Sequence, residues 1–188
     1  VFGQAIKNRI NCEVVGITYS QEEFNLAANL LDEVILMDLN DPDFSKLEVE
    51  TFDCIICSHV LEHLYWSQQF LEKLAESVSP SCKLIVALPN ALNFRQRLEF
   101  LKGNFKYSDW GVMDRTHFRF FDWDTSRKLL EDSGYKVVER WADGYFPLPV
   151  IRNFIKPLAS HLDSLATRVM PGLFGMQFVL IAYLSRKK

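Results

Sequence analysis

Apolar strands alternating with helical segments predict an open α/β sheet, mostly parallel. Two observations carry this. The runs "CEVVGI", "EVILMDL", "TFDCIICS" and "CKLIVALPN" are apolar almost throughout, as strands buried on both faces must be. The segments between them carry helix start and stop signals. At 188 residues the chain suits one globular domain with a sizeable core.

In chain order, residues 1–10 read as a short helix and "CEVVGI" as a buried strand. Ser20 precedes "QEEFNLAANLL" and is placed to cap that helix, with Glu23 as its capping-box partner. "EVILMDL" is the next strand, followed by the turn-rich "NDPDFSKLEVE" and the strand "TFDCIICS". Residues 67–78 then form a helix. "CKLIVALPN" is a strand stopped by Pro89, and "FRQRLEFLKG" is a helix ended by Gly103. A long loop, "NFKYSDWGVMDRTHFRFFD", leads to the helix "TSRKLLEDSG", ended by Gly134, and to the strand "YKVVERWA". Residues 146–173 are amphipathic and punctuated by proline, and "FVLIAYLS" is the last strand.

Composition excludes several function classes. Hydrophobic residues make up 48% and charged residues 24%, ordinary values for a globular domain. A formal charge of −3 and a pI near 5.8 argue against a nucleic-acid partner. No apolar run has the length needed to cross a bilayer, so stable membrane insertion is not expected. Residues 1–10 are amphipathic and do not read as a signal peptide. The chain starts at Val1 without Met, which suggests a fragment of a longer protein. The spacing of Cys12, Cys54, Cys57 and Cys82 offers no disulfide framework. They read as reduced core residues of a cytoplasmic protein.

"FDCIICSHVLEHL", residues 52–64, holds two patterns at once. Cys54 and Cys57 spell C-x-x-C, but on a strand side chains three apart point to opposite faces and cannot grip one metal. His59, Glu62 and His63 spell H-x-x-E-H, the pattern of one zinc peptidase class. On a single helix the two histidines would share a face, with Glu62 as general base. The motif begins where a buried strand ends, so packing of the loop wall is the favoured reading and no metal is expected. In open α/β sheets ligands bind beyond the carboxyl ends of strands. "SHVLEHL", "TYS", "DLN" and "PNALN" all follow strands, and together they suggest one shared cleft.

In this order and spacing, "FDCIICSHVLEHL", "ALPNALN" and "MDRTHFRFFD" resemble the class I S-adenosylmethionine-dependent methyltransferases, in the branch with VLEHL, LPN and DRTHxRFF motifs. The resemblance implies a Rossmann-like sheet with helices on both faces and an antiparallel last strand, with S-adenosyl-L-methionine as cofactor. It implies that Asp38 accepts the adenine amino group beside the Leu39 backbone, that Tyr19 packs on the adenine face, and that Ser58 meets the methionine end. Thr18 stands where relatives place an acidic residue for the ribose hydroxyls. The family's first strand and Gly-rich loop have no counterpart here, which implies upstream residues in the natural protein. The implied organisation is a core over residues 1–145, a helical cap or interface over 146–173, and a final core strand over 174–188.

Methyl transfer needs an aligned acceptor and usually a base for its proton. Histidine titrates in the right range. His117 in "DRTHFRFF" is the first candidate, either base or loop anchor, and His63 is the second. Asp114 is a candidate to orient a histidine or the substrate, and Arg115 and Arg119 to hold an acidic group. Asn90 and Asn93 either line the acceptor side or form a strand-end turn. The acceptor expected is a small molecule or glycan, methylated on oxygen or nitrogen, and residues 146–173 offer a possible homodimer face. The competing readings are a non-catalytic methyltransferase-like binding module and, behind it, a zinc hydrolase through His59, Glu62 and His63.

Overall fold

The computed structural model describes residues 2–147 and 156–185. The chain divides into two compact units, Val1–Lys46 and Leu47–Lys188. Residues 148–155, part of the expected cap, lie outside the described residues.

The first unit holds helix α1 (Phe2–Lys7), strand β1 (Val15–Thr18), helix α2 (Gln21–Ala27) and strand β2 (Glu33–Leu36). β1 and β2 run parallel, with Val15 opposite Glu33 and Thr18 opposite Leu36. Asp32 ties the unit together, accepting from the Lys7 ammonium at 2.6 Å and the Val14 amide at 2.7 Å. Ser20 caps α2, accepting from the Glu23 amide. The expected reciprocal half of that capping box is corrected. The Ser20 amide donates to the Thr18 hydroxyl, and the Glu23 carboxylate turns to accept from the same hydroxyl at 2.6 Å.

The second unit holds β3 (Cys54–Ser58), α3 (Ser67–Ser77), β4 (Lys83–Pro89), α4 (Phe94–Leu101), α5 (Trp123–Asp132), β5 (Tyr135–Gly144), α6 (Lys156–Val169), α7 (Pro171–Phe174) and β6 (Gly175–Leu184). Its sheet order is β3-β4-β6-β5. β3 and β4 are parallel, while β6 is antiparallel to both β4 and β5. All six expected strands are present, and within its sheet the last runs against the others. Among the described residues the strands pair as β1-β2 and as β3-β4-β6-β5.

The core follows from strand alternation. Leu84, Val86 and Leu88 of β4 lie opposite Ala182, Leu180 and Phe178 of β6, and all six are buried. These are the two central strands, so their side chains meet protein on every side. Trp123 at the start of α5 meets Phe178 edge-on at 5.3 Å, and Leu130 one face along is fully buried. Asp122 and Thr125 form a capping box at the entry to α5, and Gly134 ends it at φ 89°.

Asn90 closes the end of β4. Its amide donates to the carbonyls of Gly175 at 2.7 Å and Gly172 at 3.1 Å, and its oxygen accepts from the Leu92 amide. Gly175 is required at this junction, since a Cβ there would stand 2.6 Å from the Pro171 carbonyl and 2.7 Å from the Ala142 Cβ. Replacing Asn90 by leucine strands three backbone groups, one buried and two part-buried. Asn90→Leu is expected to lower unfolding free energy by about 2–4 kcal/mol in denaturant titration; a loss below about 0.5 kcal/mol would refute this account of the junction.

Candidate functional site

β3 ends at Ser58, and the next residue, His59, takes φ 53°, a left-handed conformation rare for a side chain of this size. Its amide still donates to the Ala87 carbonyl of β4 at 3.0 Å. The kink sends the chain into a 3-10 turn, Leu61–His63, instead of a long helix. The H-x-x-E-H residues are therefore not one helical face. Leu61 and Glu62 are driven inside and fully buried.

Hydrogen-bond partners fix the protonation of His59. Nδ1 faces the Glu62 carboxylate Oε1 at 3.1 Å, and Nε2 faces Gln177 Oε1 at 2.8 Å. The orientation of Gln177 is set in turn, since its amide nitrogen donates to Asp143 at 3.0 Å. Both ring nitrogens thus face acceptors, which favours the imidazolium. The Glu62 hydrogen bond, helped by that to Gln177, holds the His59 pKa above its ordinary value despite partial burial.

His63 and His117 are arranged the other way. The Thr116 hydroxyl donates to Asp114 at 2.7 Å, so its oxygen and the Thr116 carbonyl can only accept from His63 Nδ1, at 3.1 and 3.2 Å. His117 Nδ1 meets the Val112 carbonyl at 3.0 Å. In the neutral rings each Nδ1 carries the proton and each Nε2 keeps a lone pair. The rings meet edge to face with centroids 4.6 Å apart. Asp114 also accepts from the Thr116 amide, and these Thr116 bonds hold its carboxyl below the usual range.

The "DRTHFRFF" segment reaches this place because the Glu62 carbonyl accepts from two of its amides, Phe118 at 2.9 Å and Arg119 at 3.1 Å. A cavity of about 310 Å³ opens here, with His59, Glu62, Pro89, His117, Asp143 and Gln177 on its wall. It lies at the carboxyl ends of β3 and β4, where ligands bind in open α/β sheets.

The remaining expected residues fall into place as follows. Ser58 is half-buried at the end of β3. Asn90 and Asn93 are buried. Asn93 caps α4 through the Arg95 and Gln96 amides and donates to the Asn90 carbonyl. Their polar atoms serve the backbone, as in a strand-end turn. Arg119 donates twice to the Tyr65 carbonyl and lies over the Trp66 ring, while Arg115 pairs with Asp109 at the surface. In the first unit, Thr18 and Asp38 stand at and just past the carboxyl ends of β1 and β2. Asp38 is exposed and accepts from the Asn40 amide, Leu39 is half-buried, and Tyr19 is 81% exposed.

Cys54 is exposed and Cys57 buried, as opposite faces of a strand require. Burial, and then the Glu62 charge, push the Cys57 thiol up to about 12. All four cysteines are free, but Cys12 and Cys54 are exposed, which corrects their expected core placement. Sequence reasoning missed Gln177, Asp143, Thr116 and Glu23. Gln177 lies 118 residues from His59 and carries no local signal.

Parallel β3 and β4 flanked by helices, with a cavity beyond their carboxyl ends, define a Rossmann-like α/β fold. Residues 6–140 match the family described as a methyltransferase domain, and the chain belongs to that family. An S-adenosylmethionine-dependent methyltransferase from Archaeoglobus fulgidus superposes with a TM-score of 0.64 at 18% identity, over 97% of this chain and 80% of that one. Another from Mesorhizobium loti gives 0.56 at 15% identity, over 91% and 80%. The [4+2]-cyclase SpnF gives 0.59 at 13% identity, over 96% and 70%. At these identities the likeness establishes the fold. A curated relative, the probable (S)-tetrahydroprotoberberine N-methyltransferase 2 of Papaver bracteatum, is 25% identical over 173 residues, 88% of this chain and 46% of that protein. The chain thus spans about half the length of that relative. S-adenosylmethionine is the expected cofactor. Among the described residues, no helix is long and apolar enough to cross a membrane.

The raised pKa of His59 has a stability consequence. Its contribution is fully present below the unfolded-state value near 6.5 and is lost as pH rises through the higher folded value. His59→Asn tolerates the positive φ but cannot titrate. The stability gap between the wild type and this variant, measured by denaturant unfolding, is expected to be larger near about pH 5 than near about pH 9. A gap that is flat with pH would show that His59 does not bind its proton more tightly in the folded state.

Proposed function

We propose that this chain is the catalytic domain of an S-adenosylmethionine-dependent methyltransferase acting on an oxygen or nitrogen of a small-molecule or glycan acceptor. The observation that carries the reading is His117. It stands on the wall of the cavity with Nδ1 on the Val112 carbonyl and Nε2 left as a lone pair. A neutral imidazole held this way is a general base for the acceptor's proton. His63, oriented by Thr116 and Asp114, is the second base. His59 is a poor base because both its nitrogens face acceptors, and a positioning role suits it.

The residues at the ends of β1 and β2 fit the cofactor. The exposed Tyr19 ring offers a stacking face, and Asp38 and the Leu39 backbone suit the adenine edge. In the second unit, Ser58 at the end of β3 is the residue the family resemblance assigns to the methionine end. Thr18 alone would offer the ribose one hydroxyl. Glu23 brings a carboxylate to the same strand end. When bound, S-adenosylmethionine supplies an electrophilic methyl group.

The name of the poppy relative describes an N-methyltransferase, so amine acceptors are the first class to try, with phenols and sugar hydroxyls after them. We assign residues 146–173 to a cap or homodimer face. Leu158, Leu165, Val169 and Met170 are exposed there, which supports an unfilled apolar contact.

Calorimetric titration of the natural full-length protein with S-adenosylhomocysteine tests the reading. Saturable one-to-one binding is expected. With an acceptor found, His117→Ala should lower kcat by about 10²- to 10⁴-fold while S-adenosylhomocysteine affinity changes little. Absence of binding would leave the binding-module reading in its place.

A further inference from the structure

We propose that Glu62, His63 and His117 form a binding site for a divalent first-row transition ion, Zn²⁺ foremost. Each residue offers one ligand atom, and these atoms lie within 4.8 Å of one another. This set differs from the H-x-x-E-H trio, because His59 has both nitrogens engaged and the loop brings in His117 instead.

Three independent features make the cluster a site. First, both histidines donate Nδ1–H to fixed oxygens, His63 to Thr116 and His117 to Val112. That is the outer-shell arrangement that fixes ring orientation and leaves Nε2 for a metal. Second, Glu62 is fully buried, and its Oε2 has no hydrogen-bond partner, protein polar groups included. A buried carboxylate oxygen left unpaired costs desolvation energy that a cation would offset. Third, Glu62 and His117 both line the cavity, so a fourth coordination position can open toward solvent or a ligand.

Two imidazoles and one carboxylate suit zinc better than magnesium or calcium, which prefer all-oxygen shells. Metal–ligand bonds of about 2.0–2.1 Å place tetrahedral ligand atoms about 3.3 Å apart. The cluster must therefore contract by up to about 1.5 Å, a change within reach of side-chain rotation. Glu62 would bind through Oε2 while Oε1 keeps His59. A bound ion would occupy the lone pair assigned above to the acceptor's proton, so ion and methyl transfer would compete. That consequence rests on His117 as base; ion binding does not.

The test is calorimetric titration of chelator-washed full-length protein with zinc chloride, without S-adenosylmethionine, with Co²⁺ absorption as a second readout. The expected result is one equivalent bound, with visible cobalt bands and no thiolate charge-transfer absorption, which excludes Cys12 and Cys54 as ligands. His63 is only partly buried, so His63→Ala should fold, as circular dichroism would confirm, and should weaken binding at least tenfold. No saturable binding, thiolate absorption, or unchanged affinity in His63→Ala would each overturn the proposal. Because S-adenosylhomocysteine is absent, failure here leaves the methyltransferase reading standing, and the reverse also holds.

Discussion

One peptide carbonyl organises the cavity. The Glu62 oxygen takes the amides of both Phe118 and Arg119, and those two bonds clip a segment without helix or strand against the end of β3. The same residue sends its carboxylate inward, where burial would be prohibitive without a partner. His59 is that partner, and it can reach back only because its own backbone is left-handed. The strained φ, the buried charge and the docked loop are one device. A residue held at a sparsely populated φ persists only where its surroundings over-determine it, and here the Ala87 carbonyl, Glu62 and Gln177 do so.

The three histidines of this region show how partners, not residue type, set chemistry. His59 faces an acceptor on each nitrogen and is biased toward its cation. His63 and His117 face an acceptor on Nδ1, which leaves the neutral ring with a lone pair on Nε2. Charge is thus segregated over a few ångströms: a cation on the cavity wall, a carboxylate beneath it, and two lone pairs beside them. A single family motif supplies the first, the second and His63 of the third, and the loop supplies His117.

Much of this was legible in the sequence, and the parts that were not share a cause. The strand–helix alternation, the buried runs of β4 and β6, the cap at Ser20, and the stops at Gly103 and Gly134 are local features, and local pattern reveals them. The open, mostly parallel α/β class was legible from this pattern, whereas which strands pair with which was not, because pairing partners are a long-range property of the whole chain. Asn90 and Asn93 look alike as polar residues after a strand. Only in the structure does Asn90 reach the carbonyls of the α7–β6 junction, while Asn93 reaches the Asn90 carbonyl and caps α4. Gln177 and Asp143 carry no motif; pairing of β6 with β4 sets Gln177 opposite Pro89 near His59, and pairing with β5 sets Asp143 opposite Gln177.

Glu23 carries the same lesson to the first unit. Sequence pattern assigns it to a capping box and assigns Thr18 to a missing carboxylate's place, as two separate facts. The structure joins them, since the Thr18 hydroxyl donates to Glu23 at 2.6 Å and accepts from the Ser20 amide at 3.1 Å. The hydroxyl's single hydrogen is committed to the carboxylate, so one Glu23 oxygen is anchored and the other is left as the acceptor at this strand end. A carboxylate with one anchored oxygen can still receive a hydroxyl on the other. The first turn of α2 thus brings a carboxylate to the end of β1, where the sequence itself carries threonine.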